Sequence, residues 1–302
     1  MEAGQPGEVE MTPNIRIIPR LDIKGPNLVK GIHLEGLRVL GRPEHFAQYY
    51  YETGADELIY MDIVASLYGR NSLLPMIERT SKKIFIPLTV GGGLRTLDDI
   101  KMALRVGADK VSINTAAIKS PDLIQKAANK FGSSTIVVSI EAIKQPDKSY
   151  LVYTDNGREY TGVDAFEWAI RVADLGAGEI LLTSVDKEGT GSGYDIELTR
   201  KIAELVPIPV IALGGAGKKE HIKEVITEGR ADAVSIASML HYDFIKNKPI
   251  ETDLFQEGNI EYLKSGRRFT RINPYSLLEI KSFLYEQGVE CRFPIKKYIA
   301  NV

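Results

Sequence analysis

The stretch that decides the fold is GAGEILLTSV at residues 176–185, because GADELIYMDI at residues 54–63 repeats its pattern 122 residues earlier. Two further pairs have nearly the same offset. The glycine clusters of IPLTVGGGL and IPVIALGGAG begin at Gly91 and Gly214, and GADKVSINTA and GRADAVSIAS begin at Gly107 and Gly229. Several matches at one offset indicate an internal duplication, although similar neighbouring units could also produce them by coincidence.

Short apolar runs recur along the chain, and each is followed by a helical pattern. Their lengths are typical of parallel strands covered on both faces. Alternation with helices predicts parallel pairing through helical crossovers. The strand candidates are residues 15–22, 57–63, 84–90, 110–113, 135–141, 179–185, 208–213 and 233–237. We therefore predict an α/β fold, a (β/α)8 TIM barrel built from two repeated half-barrels.

A single domain of this kind accounts for the 302 residues. We predict that the barrel covers residues 15–302. Residues 1–14 are polar and acidic, contain Gly and Pro, and lack the apolar core of a signal peptide, so a disordered leader is expected there.

The composition argues against several functional classes. A formal net charge of -2 gives no basic field for nucleic acid, and no apolar run is long enough for a membrane span. Cys291 is the single cysteine, which excludes an intrachain disulfide and favours a reducing, cytoplasmic setting. The four histidines lack metal-ligand spacing, so neither a metal nor a cofactor is expected.

Small and glycine-rich residues follow four of the predicted strands. Glycine permits an anion to approach backbone N–H groups, and the loops after strands seven and eight are the usual phosphate site of such barrels. The duplication predicts a second phosphate site half a barrel away, so the expected ligand carries two phosphates. A glycine after a strand can also simply form a turn. The candidate phosphate-binding residues are Gly92, Gly93, Asn114, Thr115, Gly214, Gly215, Ala237 and Ser238.

Two carboxylates end the predicted strands one and five, which are opposite each other in the ring. Asp22 and Glu141 are 119 residues apart and could serve as a general acid and a general base. Each could instead accept backbone N–H bonds in a loop, or pair with Lys24 or Lys144. Their position between two phosphate sites favours catalysis.

Four charged residues lie at the opposite, amino-terminal ends of strands. Two cations and two carboxylates that converge at the bottom of a barrel are expected to form a closed, paired ring. This ring would be either a stabilising plug or a gate into the barrel interior. The four residues are Arg16, Glu57, Lys110 and Glu179.

These motifs together resemble one family, the HisF-type cyclase subunit of imidazole glycerol phosphate synthase. The similarity runs from about Arg16 to Tyr242 and resumes at residues 275–292. It rests on RIIPRLDIK, LVKG, DELIYMDI, PLTVGGG, GADKVSINTAA, GAGEILLTSVDKEGT, SGYD and GGAGK.

The resemblance implies a cyclase/lyase of histidine biosynthesis. Ammonia from a HisH-type glutaminase, in a heterodimer, would pass through the barrel to a bis-phosphorylated formimino-ribulosyl aminoimidazole carboxamide ribonucleotide. The products would be imidazole glycerol phosphate and an aminoimidazole carboxamide ribotide.

The resemblance also implies residue roles. Asp22 falls on the first catalytic aspartate of the family, and Lys30 matches a lysine of its mobile first loop. The four basal charges match the family's ammonia gate. Gly189 and Thr183, within the sixth-strand motif, are expected to contact a phosphate and the substrate.

Three departures leave the activity open. Glu141 replaces the second catalytic aspartate, Arg20 stands where cysteine is common, and residues 245–274 form an apparent insertion before the last helix. The first hypothesis is the ammonia-dependent cyclase. The alternatives are a paralogue that passes ammonia to another acceptor, such as a sugar of a surface polysaccharide, and a non-enzymatic barrel that activates a glutaminase.

Overall fold

A computed structural model describes residues 14–33, 35–65, 73–247 and 271–294. Its strands in chain order are β1 (Arg16–Lys24), β2 (Asn27–Ile32), β3 (Glu35–Gly41), β4 (Leu58–Asp62), β5 (Leu88–Gly91), β6 (Lys110–Ile113), β7 (Ile136–Lys144), β8 (Tyr150–Thr154), β9 (Glu159–Asp164), β10 (Glu179–Ser184), β11 (Val210–Leu213) and β12 (Ala233–Ile236). The described helices are Pro43–Glu52, Leu74–Ser81, Leu97–Arg105, Thr115–Lys119, Asp122–Phe131, Ala165–Asp174, Ile196–Leu205, Lys219–Thr227, Ser238–Asn247 and Leu277–Glu286.

Eight of these strands form a closed parallel barrel. Their order is β1, β4, β5, β6, β7, β10, β11, β12 and back to β1. Helices separate consecutive barrel strands, so the predicted (β/α)8 fold is confirmed. The two halves also match in detail, because the first strand of each is extended by an antiparallel hairpin, β2–β3 in one half and β8–β9 in the other.

The hairpins change the position of the two candidate carboxylates. Asp22 and Glu141 do not end their strands, because β1 continues to Lys24 and β7 to Lys144. Each carboxylate lies where its strand pairs with a barrel strand on one side and with the returning hairpin strand on the other. In the hairpins, Asp22 lies opposite Val29 and Glu141 opposite Tyr153. The sequence prediction missed this continuation, since it treated each carboxylate as the start of a loop.

Aspartates at the barrel bottom fix where several strands begin. Asp56, Asp109 and Asp232 end the GAD or RAD motifs of the repeat. Their carboxylates accept the backbone N–H groups of Ile17, Leu88 and Val210 at 2.8, 2.9 and 2.8 Å. The third barrel strand therefore begins at Leu88, four residues later than predicted. In each of these three copies of the motif, the aspartate carboxylate thus accepts a hydrogen bond from the first residues of a neighbouring strand and links two βα units.

The barrel has two apolar layers. A large core lies between the sheet and its helices, and a smaller cluster fills the barrel interior. The interior cluster consists of Ile18, Ile59, Val137, Leu181, Ile211, Leu213 and Ala233, with Met61 packed against it. Because strand residues alternate between faces, the inward-facing positions of β1 are Arg16, Ile18, Arg20 and Asp22.

The expected leader and insertion lie largely outside the described residues. Only Asn14 of the leader is described, and only residues 245–247 and 271–274 of the proposed insertion. Residues 245–247 complete the helix Ser238–Asn247, and Asn273 donates its backbone N–H to the Gly217 carbonyl at 2.9 Å. The far end of the segment thus lies beside the loop after β11. Among the described helices, none is both long and apolar enough to cross a membrane.

Candidate active site

Asp22 is a buried carboxylate on the inner face of β1, 3% exposed. Its Oδ1 accepts a hydrogen bond from Arg20 Nε at 2.7 Å, and its Oδ2 lies 3.9 Å from Lys30 Nζ. Burial alone raises the pKa of a carboxyl group, but the charges of Arg20 and Lys30 outweigh it and hold the pKa of Asp22 below its ordinary value. Asp22 is therefore ionised at neutral pH.

Glu141 lies on the inner face of β7 and is 8% exposed. Its Oε2 accepts the backbone N–H of Gly157, in the β8–β9 turn, at 2.8 Å. Burial raises the pKa of Glu141 to about 7, although Arg20 and the hydrogen bonds from Gly157 and Asn114 lower it. Glu141 is therefore close to half protonated at neutral pH, unlike Asp22.

The first predicted phosphate site borders a cavity of about 350 Å³. Gly92, Gly93, Asn114 and Thr115 line it together, and Glu141 also borders it. At Gly92 the backbone has φ +91°, and a Cβ would lie 2.1 Å from the Asp62 carbonyl oxygen, so only glycine fits. The cavity thus brings an acid and a glycine-rich loop together.

Other residues of this cavity escaped the sequence reasoning. Arg95, Lys119 and Asn156 also line it and add polar or cationic groups. The pattern GGGLR contained a signal for Arg95, which follows the glycines by two residues. Asn156 lies on the β8–β9 turn, which could be recognised only once the hairpin was known.

The second predicted phosphate site is almost closed. Gly189, Gly214, Gly215, Ala237 and Ser238 line a cavity of about 10 Å³, which is room for about one water molecule. The structure therefore brings the predicted residues together but leaves no space for a phosphate in this conformation.

The β2–β3 hairpin lies against the loop that borders this second site. The backbone N–H of His33 donates to the Glu188 carbonyl at 2.9 Å, and its ring Nδ1 lies 2.9 Å from the Val185 carbonyl oxygen. Lys30 forms a buried ion pair with the Glu188 side chain. Lys30 thus belongs to a folded hairpin that contacts the mouth, and Glu188 is a charged mouth residue that the sequence reasoning missed.

Several hydroxyl groups point into the upper barrel without a partner. Thr183 is fully buried on β10, and its Oγ1 has no hydrogen-bond partner among the described residues. The same is true of Ser112 Oγ on β6 and Ser235 Oγ on β12. Unpaired buried hydroxyls are costly unless a ligand or water pairs with them. They are therefore suited to contact a small polar ligand.

The four basal charges form one closed ring. Arg16 Nη1 lies 2.7 Å from both Glu57 Oε1 and Glu179 Oε1, and Lys110 Nζ lies 3.1 Å from a carboxylate oxygen of each glutamate. Burial opposes the charge of Arg16, yet Glu179 and Glu57 raise its pKa above the ordinary value. The ring covers the bottom of the apolar interior, so the predicted pairing is present.

The histidine nearest the mouth is neutral. His241 is fully buried, and its Nδ1 lies 2.7 Å from the Tyr50 hydroxyl. Burial and the charge of Lys30 lower its pKa to about 3. Across the described ranges, no group of three or more His, Cys, Asp or Glu side chains is arranged to hold a metal ion.

Comparison with known proteins agrees with this geometry. A family model described as "Histidine biosynthesis protein" matches residues 16–246. The imidazole glycerol phosphate synthase subunit HisF of Legionella pneumophila is 58% identical over 207 residues, which are 68% of this chain and 98% of the relative. HisF of Thermosynechococcus vestitus is 51% identical over 232 residues, 75% of this chain and 83% of the relative.

The fold and the mouth define a class, a TIM barrel with two glycine-rich loops and two buried carboxyl groups at its mouth. The comparisons narrow this class further, and the chain belongs to the histidine biosynthesis protein family. Membership favours the cyclase over the sugar-amidating paralogue and the non-enzymatic scaffold.

Proposed function

We propose that this chain is the cyclase subunit of an imidazole glycerol phosphate synthase, in the cytoplasm. The observation that most supports this proposal is the pair Asp22 and Glu141. They are two buried carboxyl groups in matching positions, and their pKa values are shifted in opposite directions. Such a pair supplies a base and an acid at the same pH. The substrate is the bis-phosphorylated formimino-ribulosyl aminoimidazole carboxamide ribonucleotide, and ammonia is the nitrogen donor.

The roles of the two groups follow from their charge states. Ammonia adds to the carbonyl carbon of the ribulosyl chain and passes one proton to the carbonyl oxygen. A second proton then reaches this oxygen, which leaves as water and gives an imine. Glu141, which is partly protonated at neutral pH, donates this proton. Asp22, which is ionised, accepts a proton from the attacking nitrogen.

The new nitrogen then attacks the formimino carbon, and the bond from this carbon to the amino nitrogen of the aminoimidazole breaks. That nitrogen takes up a proton and leaves as part of the aminoimidazole carboxamide ribotide, and loss of one proton from the new ring completes the imidazole.

Glutamate at position 141 is compatible with this role. Its side chain is one methylene longer than aspartate, so its carboxyl group reaches further toward the ligand, and displacements of about 1 Å matter in catalysis. The hydrogen bond from Gly157 fixes its position. The β8–β9 turn thus holds the longer Glu141 side chain in place.

Two phosphates would occupy the two glycine-rich sites. The first site has an open cavity of about 350 Å³ with Gly92, Gly93, Asn114 and Thr115. The second, with a cavity of about 10 Å³, would have to widen to take a phosphate. Its Gly189 is in close contact with the β2–β3 hairpin, where a Cβ would lie 2.7 Å from the Gly31 carbonyl oxygen. Thr183, with its unpaired hydroxyl, would contact the substrate between the two sites.

Ammonia would enter from the opposite end. We propose that a HisH-type glutaminase forms a heterodimer with the barrel at the ring of Arg16, Glu57, Lys110 and Glu179, which acts as a gate. The apolar cluster above the ring suits uncharged ammonia and disfavours ammonium, because burying a charge is costly.

A direct assay tests the cyclase without its partner. The bis-phosphate substrate and ammonium salt are supplied, and the loss of substrate absorbance is followed. Turnover is expected in the wild type, and Glu141→Gln is expected to abolish it, whereas Glu141→Asp preserves or raises it. A folded wild-type protein without turnover would refute the cyclase, and an active Glu141→Gln variant would remove this residue from catalysis.

A further inference from the structure

Arg20 is a buried cation in the barrel interior. It lies on the inner face of β1, two residues above the apolar Ile18 and two below Asp22, and is 2% exposed. Its backbone pairs with Ile59 of β4, so the guanidinium stands in the layer between the apolar interior and the mouth. No basal charge pairs with it, because the ring of Arg16 is complete in itself.

The guanidinium has one specific partner in the described structure. Its Nε donates to Asp22 Oδ1 at 2.7 Å, and both side chains are almost completely buried. A charge-assisted bond of this kind fixes the direction of the carboxylate as well as its charge. The second oxygen of Asp22 faces Lys30 at a longer distance, 3.9 Å.

The charges around this pair come from several elements. Arg20 is attracted by Asp22 on its own strand, by Glu188 in the loop after β10, and by Glu141 on β7. Asp22 also faces Lys30 on β2 and the neutral His241 on the helix Ser238–Asn247. Glu141 also faces Asp155 in the β8–β9 turn and the amide of Asn114.

Lys30 cannot replace Arg20 in this cluster. Its closest carboxylate is Glu188, to which it is ion-paired, and it is more than 1 Å farther from Asp22 than Arg20 is. Arg20 is the cation that lies in direct contact with Asp22, and it is also the largest charge acting to ionise Glu141.

We propose that Arg20 is a positioning residue of the cyclisation: it orients the Asp22 carboxylate, keeps it ionised, and acts on Glu141 through space. This inference rests on the proposed function. Arg20 contacts the base Asp22 directly and acts on the acid Glu141 at longer range. A substitution of Arg20 should therefore change the pKa of both carboxyl groups.

The test compares pH profiles of turnover at a constant concentration of unprotonated ammonia. Arg20→Met removes the charge and keeps the length of the side chain, whereas Arg20→Lys keeps the charge and loses the Nε bond. In Arg20→Met, we expect kcat to fall about 10-fold or more and both limbs of the profile to move to higher pH by about one unit, because loss of a cation raises the pKa of both carboxyl groups.

The direction of the expected shift follows from what each limb of the pH profile reports. The acidic limb reports ionisation of the base and the basic limb reports loss of the acidic proton, so both follow the carboxyl groups upward. Arg20→Lys is expected to keep both limbs near their wild-type positions while kcat falls. KM for the bis-phosphate substrate should change little in either variant, since the phosphate loops lie on other strands.

If Arg20 had a purely structural role, its variants would have a lower melting temperature, but the pH profile of the protein that remains folded would keep both limbs at their wild-type positions. This result would overturn the inference. If Arg20→Met does not fold, Arg20→Gln provides the same neutral comparison with hydrogen-bonding capacity. Absence of wild-type turnover at every pH would instead refute the cyclase proposal, so the two failures are distinguishable.

Discussion

Glu141 occupies in β7 the position that Asp22 occupies in β1, yet the pKa of Glu141 is raised to about 7 and that of Asp22 is lowered. The duplication placed equivalent carboxyl groups half a barrel apart. Their environments differ because Arg20 contacts Asp22 directly and reaches Glu141 only through space. Two carboxyl groups at equivalent backbone positions therefore have different pKa values.

The first prediction concerns stability and pH. The pKa of Glu141 is higher in the folded protein than its ordinary value of 4.5, so the stabilising contribution of the protonated form is complete below about 4.5 and is lost as the pH rises through about 7. At about pH 8.5 the wild type should have lost up to about 3 kcal/mol from this group. Glu141→Gln should lack this loss, as measured by urea unfolding at about pH 5 and about pH 8.5. Equal pH dependence in the two proteins would contradict the shift.

The second prediction compares two glycines with the same backbone angle. Gly92 and Gly132 both have φ +91°, but a Cβ at Gly92 would meet the Asp62 carbonyl at 2.1 Å, whereas Gly132 has no heavy atom within 4 Å. Gly132→Ala should cost about 1–2 kcal/mol from backbone strain alone. Gly92→Ala should cost clearly more and raise KM for the substrate, measured by denaturation and steady-state kinetics. Equal costs would show that the loop at Gly92 can relax.

The third prediction concerns the basal ring. Lys110→Met leaves Glu57 and Glu179 with Arg16 alone and should cost about 1–3 kcal/mol, since the glutamates lose a partner where they are largely buried. Turnover with ammonium salt should change little, because the carboxylates of the mouth are at the other end. When glutamine and the glutaminase supply the ammonia, the number of cyclase turnovers per glutamine hydrolysed should fall.

The control for the ring is Lys126→Met, a lysine 64% exposed whose interaction with Asp122 spans 4.0 Å. Exposed pairs of this kind contribute little, so stability and coupling should both stay at wild-type values. A Lys110→Met variant that loses stability but keeps its coupling would identify the ring as a plug rather than a gate.

The fourth prediction concerns the β2–β3 hairpin. Lys30→Met leaves Glu188 buried without its cation, next to the second phosphate site. We expect amide hydrogen exchange of residues 27–41 to become about 10-fold faster or more, because the hairpin opens more often. Lys24→Met, at the exposed end of β1, is the matched control and should exchange as the wild type does. Unchanged exchange in Lys30→Met would show that the backbone pairing with β1 and the His33 N–H bond to Glu188 hold the hairpin without the ion pair.

Much of the barrel was predictable because its strands are buried on both faces and therefore appear as apolar runs. The hairpins were missed, although the Asn156-Gly157 dipeptide is a sequence signal for a hairpin turn. In the structure Asp155, Asn156 and Gly157 all have positive φ. The β9 strand contributed to the omission, since its residues are half-buried or exposed and show no apolar run.

The sequence by itself determined the order of the eight barrel strands, the end of the barrel at which Asp22, Glu141 and the four basal charges lie, and the positions of the glycine-rich loops. Those properties follow from local periodicity and from a repeat that can be read along the chain. Only the tertiary structure decided that Arg20 pairs with Asp22, that Lys30 pairs with Glu188, and that Glu141 keeps its proton near neutral pH. Burial and Coulomb interactions depend on distances between atoms of different strands and loops, and these distances exist only once the barrel is closed.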